Sequence, residues 1–231
     1  MCHCAGSSRF PVRDVEIRAL LRRRLEQRYR SDPETIVLDE FSLYAARIDL
    51  AVVNGKLHGF EIKSDADSLQ RLDVQVPAYN AVFDQVTAVV AERHLSKVVE
   101  LVPHWWAIYV PVGCTLHLKL RRVRGAKENP YRDAMQLARL LWRSEALSAL
   151  RGIDKHYGLC KASADQVRHC LVSQLSLAKL AAVVRCAIRQ RQRRVSRLSP
   201  GGDSCPTEPT APDYRRNFEW LLSLRSQHLR R

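Results

Sequence analysis

The stretch RIDLAVVNGKLHGFEIKS, from Arg47 to Ser64, constrains this chain more than any other. Asn54-Gly55 lies between two apolar runs, a strong short-range hairpin signal because both residue types tolerate positive φ. Asp49 stands amid Ile48, Leu50, Val52 and Val53, while Glu61 and Lys63 flank Ile62. Charges inside strands are costly to bury, so three of them in one hairpin point to a chemical task. Glu61 and Lys63 share a strand face because side chains alternate with period two. Two carboxylates bind a hard divalent cation, Mg²⁺ or Mn²⁺, through oxygen, and the backbone carbonyl of Ile62 can supply a third ligand. Lys63 can orient or deprotonate an attacking water, or stabilise charge developing at phosphorus. Phosphodiester hydrolysis needs those parts.

The turn decides whether they meet. A strict two-residue turn at Asn54-Gly55 sets Asp49 facing Phe60, on the opposite side of the sheet from Glu61. A three-residue loop restores even parity; one spanning Asn54 to Lys56 places Asp49 directly across from Glu61. A working site therefore demands a three-residue loop or a bulge.

The 231 residues suffice for one sizeable core, or a core plus a smaller appendage. The apolar fraction of 46% is ordinary, but 38 lysines and arginines against 24 acids give a formal charge of +14. That excess favours a polyanionic partner, with nucleic acid ahead of an acidic membrane. No apolar run approaches the ~20 residues that span a bilayer. The start, MCHCAGSSRF, lacks a secretory h-region. The seven cysteines are odd in number, scattered and without a C-x-x-C pair, as expected of reduced thiols in a cytoplasm.

In chain order, Val12 to Tyr29 reads as an amphipathic helix and Ile36 to Phe41 as a short strand before the hairpin. A polar loop, Ser64 to Ser68, leads into a helical stretch in which Pro77 must kink the helix or open a second one. Gln85 to Ala91 and Trp105 to Val110 read as strands, with a short helix from His94 to Val102 between them. Thr115 to Arg121 alternates as another strand. From about Glu128 only helical periodicity remains: Tyr131 to Leu150, Ser163 to Leu175 and Leu177 to Arg194. Residues 1–10 read as a disordered start, 195–213 as a Ser/Pro/Gly-rich linker and 214–231 as a short C-terminal helix. Asp65 and Asp67 suit caps for the following helix. His94 and His104 read as structural or exposed. The Trp105-Trp106 pair reads as packing, with base stacking as the alternative. The arginine clusters at 22–24, 121–124 and 189–194 read as solvated faces or phosphate contacts.

Asp49 followed by Glu61-Ile62-Lys63, with a helix before and after, resembles the PD-(D/E)XK nuclease superfamily. Ile48 replaces the proline of that motif. Gln75-x-x-x-Tyr79 is similar to the Q-x-x-x-Y element of its exonuclease-like branch, which implies a substrate-positioning role for Gln75 and Tyr79. Asp14 to Tyr109 resembles more closely an uncharacterised bacterial family of predicted nucleases, through GFEIKSDADSLQRL and VVAERHL. The resemblance implies an α/β fold: a restriction-endonuclease-like αβββαβ core with a mixed sheet over residues 11–125, then an all-helical region over 126–194. It implies Asp49, Glu61 and Lys63 as catalytic residues, Asp49 and Glu61 as metal ligands, and a further acid, first Glu40 and second Glu16. The expected function is a metal-dependent nuclease acting on DNA in the cytoplasm. A homodimer or a partner protein is left open. The alternatives are a catalytically silent nucleic-acid-binding adaptor with the same fold, an RNA-directed nuclease, or an effector of a mobile-element or defence system.

Overall fold

Helix α1 (Asp14–Arg28) buries Ile17, Leu21 and Leu25 along one stripe, spaced to recur on a single helix face. In the computed structural model, which describes residues 12–113 and 117–198, this helix lies on a six-stranded mixed sheet. The strands are β1 (Ile36–Ser42), β2 (Arg47–Val53), β3 (Leu57–Lys63), β4 (Gln85–Val90), β5 (Ala107–Val112) and β6 (Lys119–Arg124), and they neighbour one another in sequence order. The first three form an antiparallel meander, β4 and β5 join in parallel, and β6 returns antiparallel at the edge. The parallel steps require crossovers. Helix α2 (Leu72–Asn80) makes the first, and a 3₁₀ turn at Glu92–His94 with α3 (Leu95–Leu101) makes the second.

The α1 stripe packs on Leu50, Val52, Phe60, Ile62 and Val89, one side of the sheet. A second aromatic layer joins α2 to the chain around it: Tyr79 meets the edge of Phe83, with centroids 6.0 Å apart, and stacks on Trp106 at 6.0 Å. Burying each such large apolar side chain stabilises the fold by roughly 1.5–3 kcal/mol. Both Trp105 and Trp106 are buried, so packing rather than base stacking describes them. Pro77 opens no second helix; it sits inside α2 with its ring exposed.

A second compact unit begins at Arg132, a few residues beyond the boundary expected at 125. It holds α4 (Ala134–Ala138), α5 (Arg143–Gly152), α6 (Ala164–Gln174) and α7 (Leu177–Leu198). The single helix expected from Tyr131 to Leu150 is broken, because Trp142 takes an extended conformation at φ −64°, ψ 155°. Its amide donates to Glu145 Oε2 at 2.8 Å. Glu145 is fully buried and accepts from Arg191 Nε at 2.7 Å and Nη2 at 2.5 Å, while the guanidinium lies 4.4 Å from the centre of the Trp142 ring. The strand expected at Thr115 to Arg121 begins only at Lys119. The linker expected from residue 195 starts later than that, because α7 runs on to Leu198; the rest of it, the expected start at 1–10 and the C-terminal helix lie outside the described residues.

Candidate active site

The hairpin closes through three residues, Asn54 to Lys56. Leu50 faces Phe60, Ala51 faces Gly59, Val52 faces His58 and Val53 faces Leu57. Continued by one step, that register sets Asp49 across from Glu61, as the even-parity loop requires. The turn itself differs from the Asn-Gly expectation. Neither Asn54 nor Gly55 has a positive φ; instead the Asn54 side chain accepts from Lys56 N at 2.9 Å, and Asn54 N donates to Lys56 O at 3.0 Å. A side chain that mimics a backbone turn replaces left-handed geometry.

Glu61 and Lys63 project from β3 into a buried polar cluster. The Lys63 ammonium donates to Glu61 Oε1 at 2.7 Å and to Gln75 Oε1 at 3.2 Å. Gln75 Nε2 donates to Glu61 Oε1 at 2.9 Å, and Tyr79 Oη donates to Glu61 Oε2 at 2.7 Å. Tyr79 Oη also lies 2.7 Å from the Arg47 carbonyl, its other acceptor. Gln75 and Tyr79 reach Glu61 together because residues four apart share a helix face. The side chains of Glu61 and Lys63 are only 3% and 5% exposed.

Asp49 belongs to a more open neighbourhood. Its Oδ2 accepts from Ile62 N at 2.6 Å and its Oδ1 from Arg18 Nη2 at 2.8 Å. Arg18, on α1, also contacts Asp14 at 3.2 Å and Glu40 at 3.2 Å. Glu40 has φ 50°, a left-handed conformation uncommon outside glycine, at the point where the β1–β2 pairing passes from Asp39–Leu50 to Phe41–Ile48. Its second oxygen pairs with Arg47 at 2.7 Å. One cleft of about 380 Å³ is lined by Asp14, Glu40, Asp49, Glu61, Lys63 and Gln75, with Arg71 also on its wall.

Burial pushes the carboxyl of Asp49 above its ordinary range, although the Ile62 amide and Arg18 oppose the shift. Burial likewise raises Glu61; Lys63 opposes that shift and the charge of Asp49 adds to it. The phenol of Tyr79 is pushed up by burial and then by Glu61. Burial disfavours the charge of Arg18, but Asp14 and Asp49 outweigh it and hold the guanidinium protonated more firmly. Two carboxylates that repel each other in a poorly solvated cleft are stabilised by a cation. Their hard oxygens suit Mg²⁺ or Mn²⁺, and each oxygen keeps acceptor capacity beyond its present bonds. Among the described residues no three His, Cys, Asp or Glu side chains gather into a ready metal cluster.

The residues expected from the sequence therefore divide. Asp49, Glu61, Lys63, Gln75 and Ile62 border one cleft together with Glu40, and Tyr79 anchors Glu61 from beneath. Glu16 does not join them: its Oε2 accepts from Arg13 N at 3.1 Å and closes the first turn of α1. Asp65 and Asp67 do not cap α2, which starts later. Asp65 accepts from Val12 N at 2.9 Å, and Asp67 holds the Ser64 amide at 2.7 Å. His94 is buried against the Ser64 carbonyl at 3.1 Å. Arg18, Asp14 and Arg71 were missed. Only the four-residue spacing of Asp14 and Arg18 hinted at the first two, and that reads equally as a solvated helix pair.

The sequence model of the family described as Bacteriophage P4 protein cII matches residues 11–199. A 55-residue stretch is 49% identical to protein cII of Enterobacteria phage P4, taking in 24% of this chain and 21% of that protein. The matched stretch thus spans about a fifth of that relative's length. Among solved structures, a protein of unknown function from Silicibacter pomeroyi is similar over 60% of this chain and 91% of its own, with 20% identity and a TM-score of 0.36. The family match covers well over half of the sequence, and the chain belongs to the bacteriophage P4 protein cII family.

Proposed function

We propose that this member of the bacteriophage P4 protein cII family is a metal-dependent phosphodiester hydrolase acting on DNA, built on a restriction-endonuclease-like core. One observation carries the reading: a three-residue loop brings Asp49 across from Glu61, while Lys63, Gln75 and Tyr79 converge on that same carboxylate. The order α1-β1-β2-β3-α2-β4, with β4 parallel to β3, supports the αβββαβ core.

Asp49, Glu61 and the Ile62 carbonyl would hold a Mg²⁺ or Mn²⁺ ion, with Glu40 as the further acid on the cleft. Bound there, the ion neutralises phosphate charge and lowers the pKa of a coordinated water. Gln75 and Tyr79 fix the orientation of Glu61. Lys63 presents a positive charge, held in place by two acceptors, to the attacking water or to the charge at phosphorus. Arg71, on the cleft wall, can contact a neighbouring phosphate. Work in the cytoplasm fits such a substrate and the free thiols of Cys160 and Cys170. Among the described residues, no helix is long and apolar enough to cross a membrane.

A second reading, a silent nucleic-acid-binding adaptor, is favoured by the ion pair that occupies Asp49 with Arg18. The test incubates the protein with plasmid, linear and single-stranded DNA, and with RNA, plus Mg²⁺ or Mn²⁺, beside Asp49→Ala and Lys63→Ala. Cleavage of DNA by wild type alone is expected. Binding without cleavage selects the adaptor, preferential RNA cleavage selects an RNA-directed nuclease, and equal cleavage by the variants removes this site from the chemistry.

A further inference from the structure

The reverse face of the sheet carries a groove that the cleft does not explain. Phe60 and Glu61 are neighbours on β3, so their side chains leave by opposite faces. Phe60 belongs to the α1 side. Beyond α1, on that side, lies a half-open cavity of about 560 Å³ whose floor includes Phe60, His58 and Tyr109. His58 stacks on Phe60 with centroids 4.2 Å apart, and its Nε2 lies 2.8 Å from Thr87 Oγ1. The rim carries Arg24 and Arg28, one turn apart on α1, and Arg122 on β6. No acid lines this cavity. Among the described residues none of the three arginines makes an ion pair, and Arg28 rests instead on the ring of Tyr29 at 5.5 Å. The imidazole of His58 is held down to about 3, by burial first and then by the charges of Arg28 and Lys56. The cationic field therefore reaches the floor.

The geometry points to a binding groove for a single-stranded nucleic-acid segment on the sheet face opposite the Asp49–Glu61 cleft. The partly exposed rings of His58 and Tyr109 on the floor can accept a base by its face, and guanidinium forks accept phosphates bidentately. The amides of Gln27 and Gln85 on the same wall can meet base edges. A cavity of about 560 Å³ has room for one or two unpaired nucleotides and not for a duplex. An acidic peptide would satisfy the arginines but would leave the aromatic floor without a partner.

The experiment measures anisotropy of a labelled oligothymidylate with the full-length protein in EDTA, which prevents cleavage. The variant Arg24→Gln/Arg28→Gln/Arg122→Gln is expected to bind at least tenfold more weakly. Its plot of log affinity against log salt should be shallower by about 2, near 0.7 for each lost phosphate contact. Photocrosslinking of a 5-iodouracil oligomer to wild-type protein should label peptides carrying Tyr29, His58 or Tyr109, a readout that does not depend on the variant folding. Unchanged affinity, crosslinks elsewhere, or equal binding of an oligoglutamate peptide would each overturn the groove. This proposal and the active-site reading fail separately, since one is read by binding without metal and the other by cleavage.

Discussion

Lys63 sits between Glu61 and Gln75 with almost no solvent contact. Lys63→Met keeps the stem and removes the charge, leaving Glu61 buried without its cation. We expect cleavage to fall by two or more orders of magnitude and stability to fall by about 3–5 kcal/mol, read by nicking assay and urea denaturation. Tyr79→Phe removes one donor to Glu61 and should cost about 1–3 kcal/mol. The pH dependence has two opposite signs. His58 titrates at about 3 in the folded chain against 6.5 when free. Its contribution is complete above pH 6.5 and is lost as pH falls towards 3, with a slope of at most about 1.4 kcal/mol per pH unit; His58→Gln should flatten that slope in denaturation series. Asp49 and Glu61 are raised, so their contribution is complete below the ordinary carboxylate range and lost as pH rises through their folded values. Mg²⁺ should therefore raise Tm more at pH 8 than at pH 5, and Asp49→Asn should blunt that gain. Asp49, Glu61 and Lys63 were legible in the sequence because charge stands out against apolar neighbours. Arg18 was not, because its three carboxylate partners come from three separate elements, α1, β1 and β2.

At the scale of elements, the hairpin and the Gln75–Tyr79 helix were legible because their spacings are local. Gly59 shows what local spacing hides. A Cβ there would meet Phe83 at 3.1 Å and press harder still on Ile48. Gly59→Ala should cost about 1–3 kcal/mol by overpacking, measured by thermal unfolding, whereas Gly55→Ala meets nothing within 4 Å and should be nearly neutral. The α4–α5 break escaped the sequence because no glycine or proline marks it. It exists through a tertiary choice: the Trp142 amide and the Arg191 fork both finish on Glu145. Strand β6 shifted from its expected position because alternation in an exposed, arginine-rich edge strand says little about where pairing begins.

For the whole molecule, the charge of +14 predicts a nucleic-acid affinity that drops steeply with salt. Log K against log salt should be linear, and the groove arginines should account for part of the slope only. The mixed α/β class and the helical second unit followed from the change of hydrophobic period near residue 128. The boundary at Arg132 did not, since Glu128 to Tyr131 still serves the first unit. Asn129 Nδ2 donates to the carbonyls of Asn80 at 2.6 Å and Phe83 at 2.7 Å, bonds that no periodicity announces.

The loop at Asn54 to Lys56 also governs how this gene can drift. Gly55 at its tip is free to change, since a Cβ there meets nothing within 4 Å, and the turn is held by the Asn54 side chain and the Asn54 amide. The loop's length is not free: gaining or losing a single codon would invert one strand against the other and carry Asp49 away from Glu61, although the apolar composition would survive. Descendants that keep the chemistry should vary this loop in steps of two residues. A lineage with an odd step should lose Asp49 soon afterwards, while Lys63, bonded to Glu61 on its own strand, should persist.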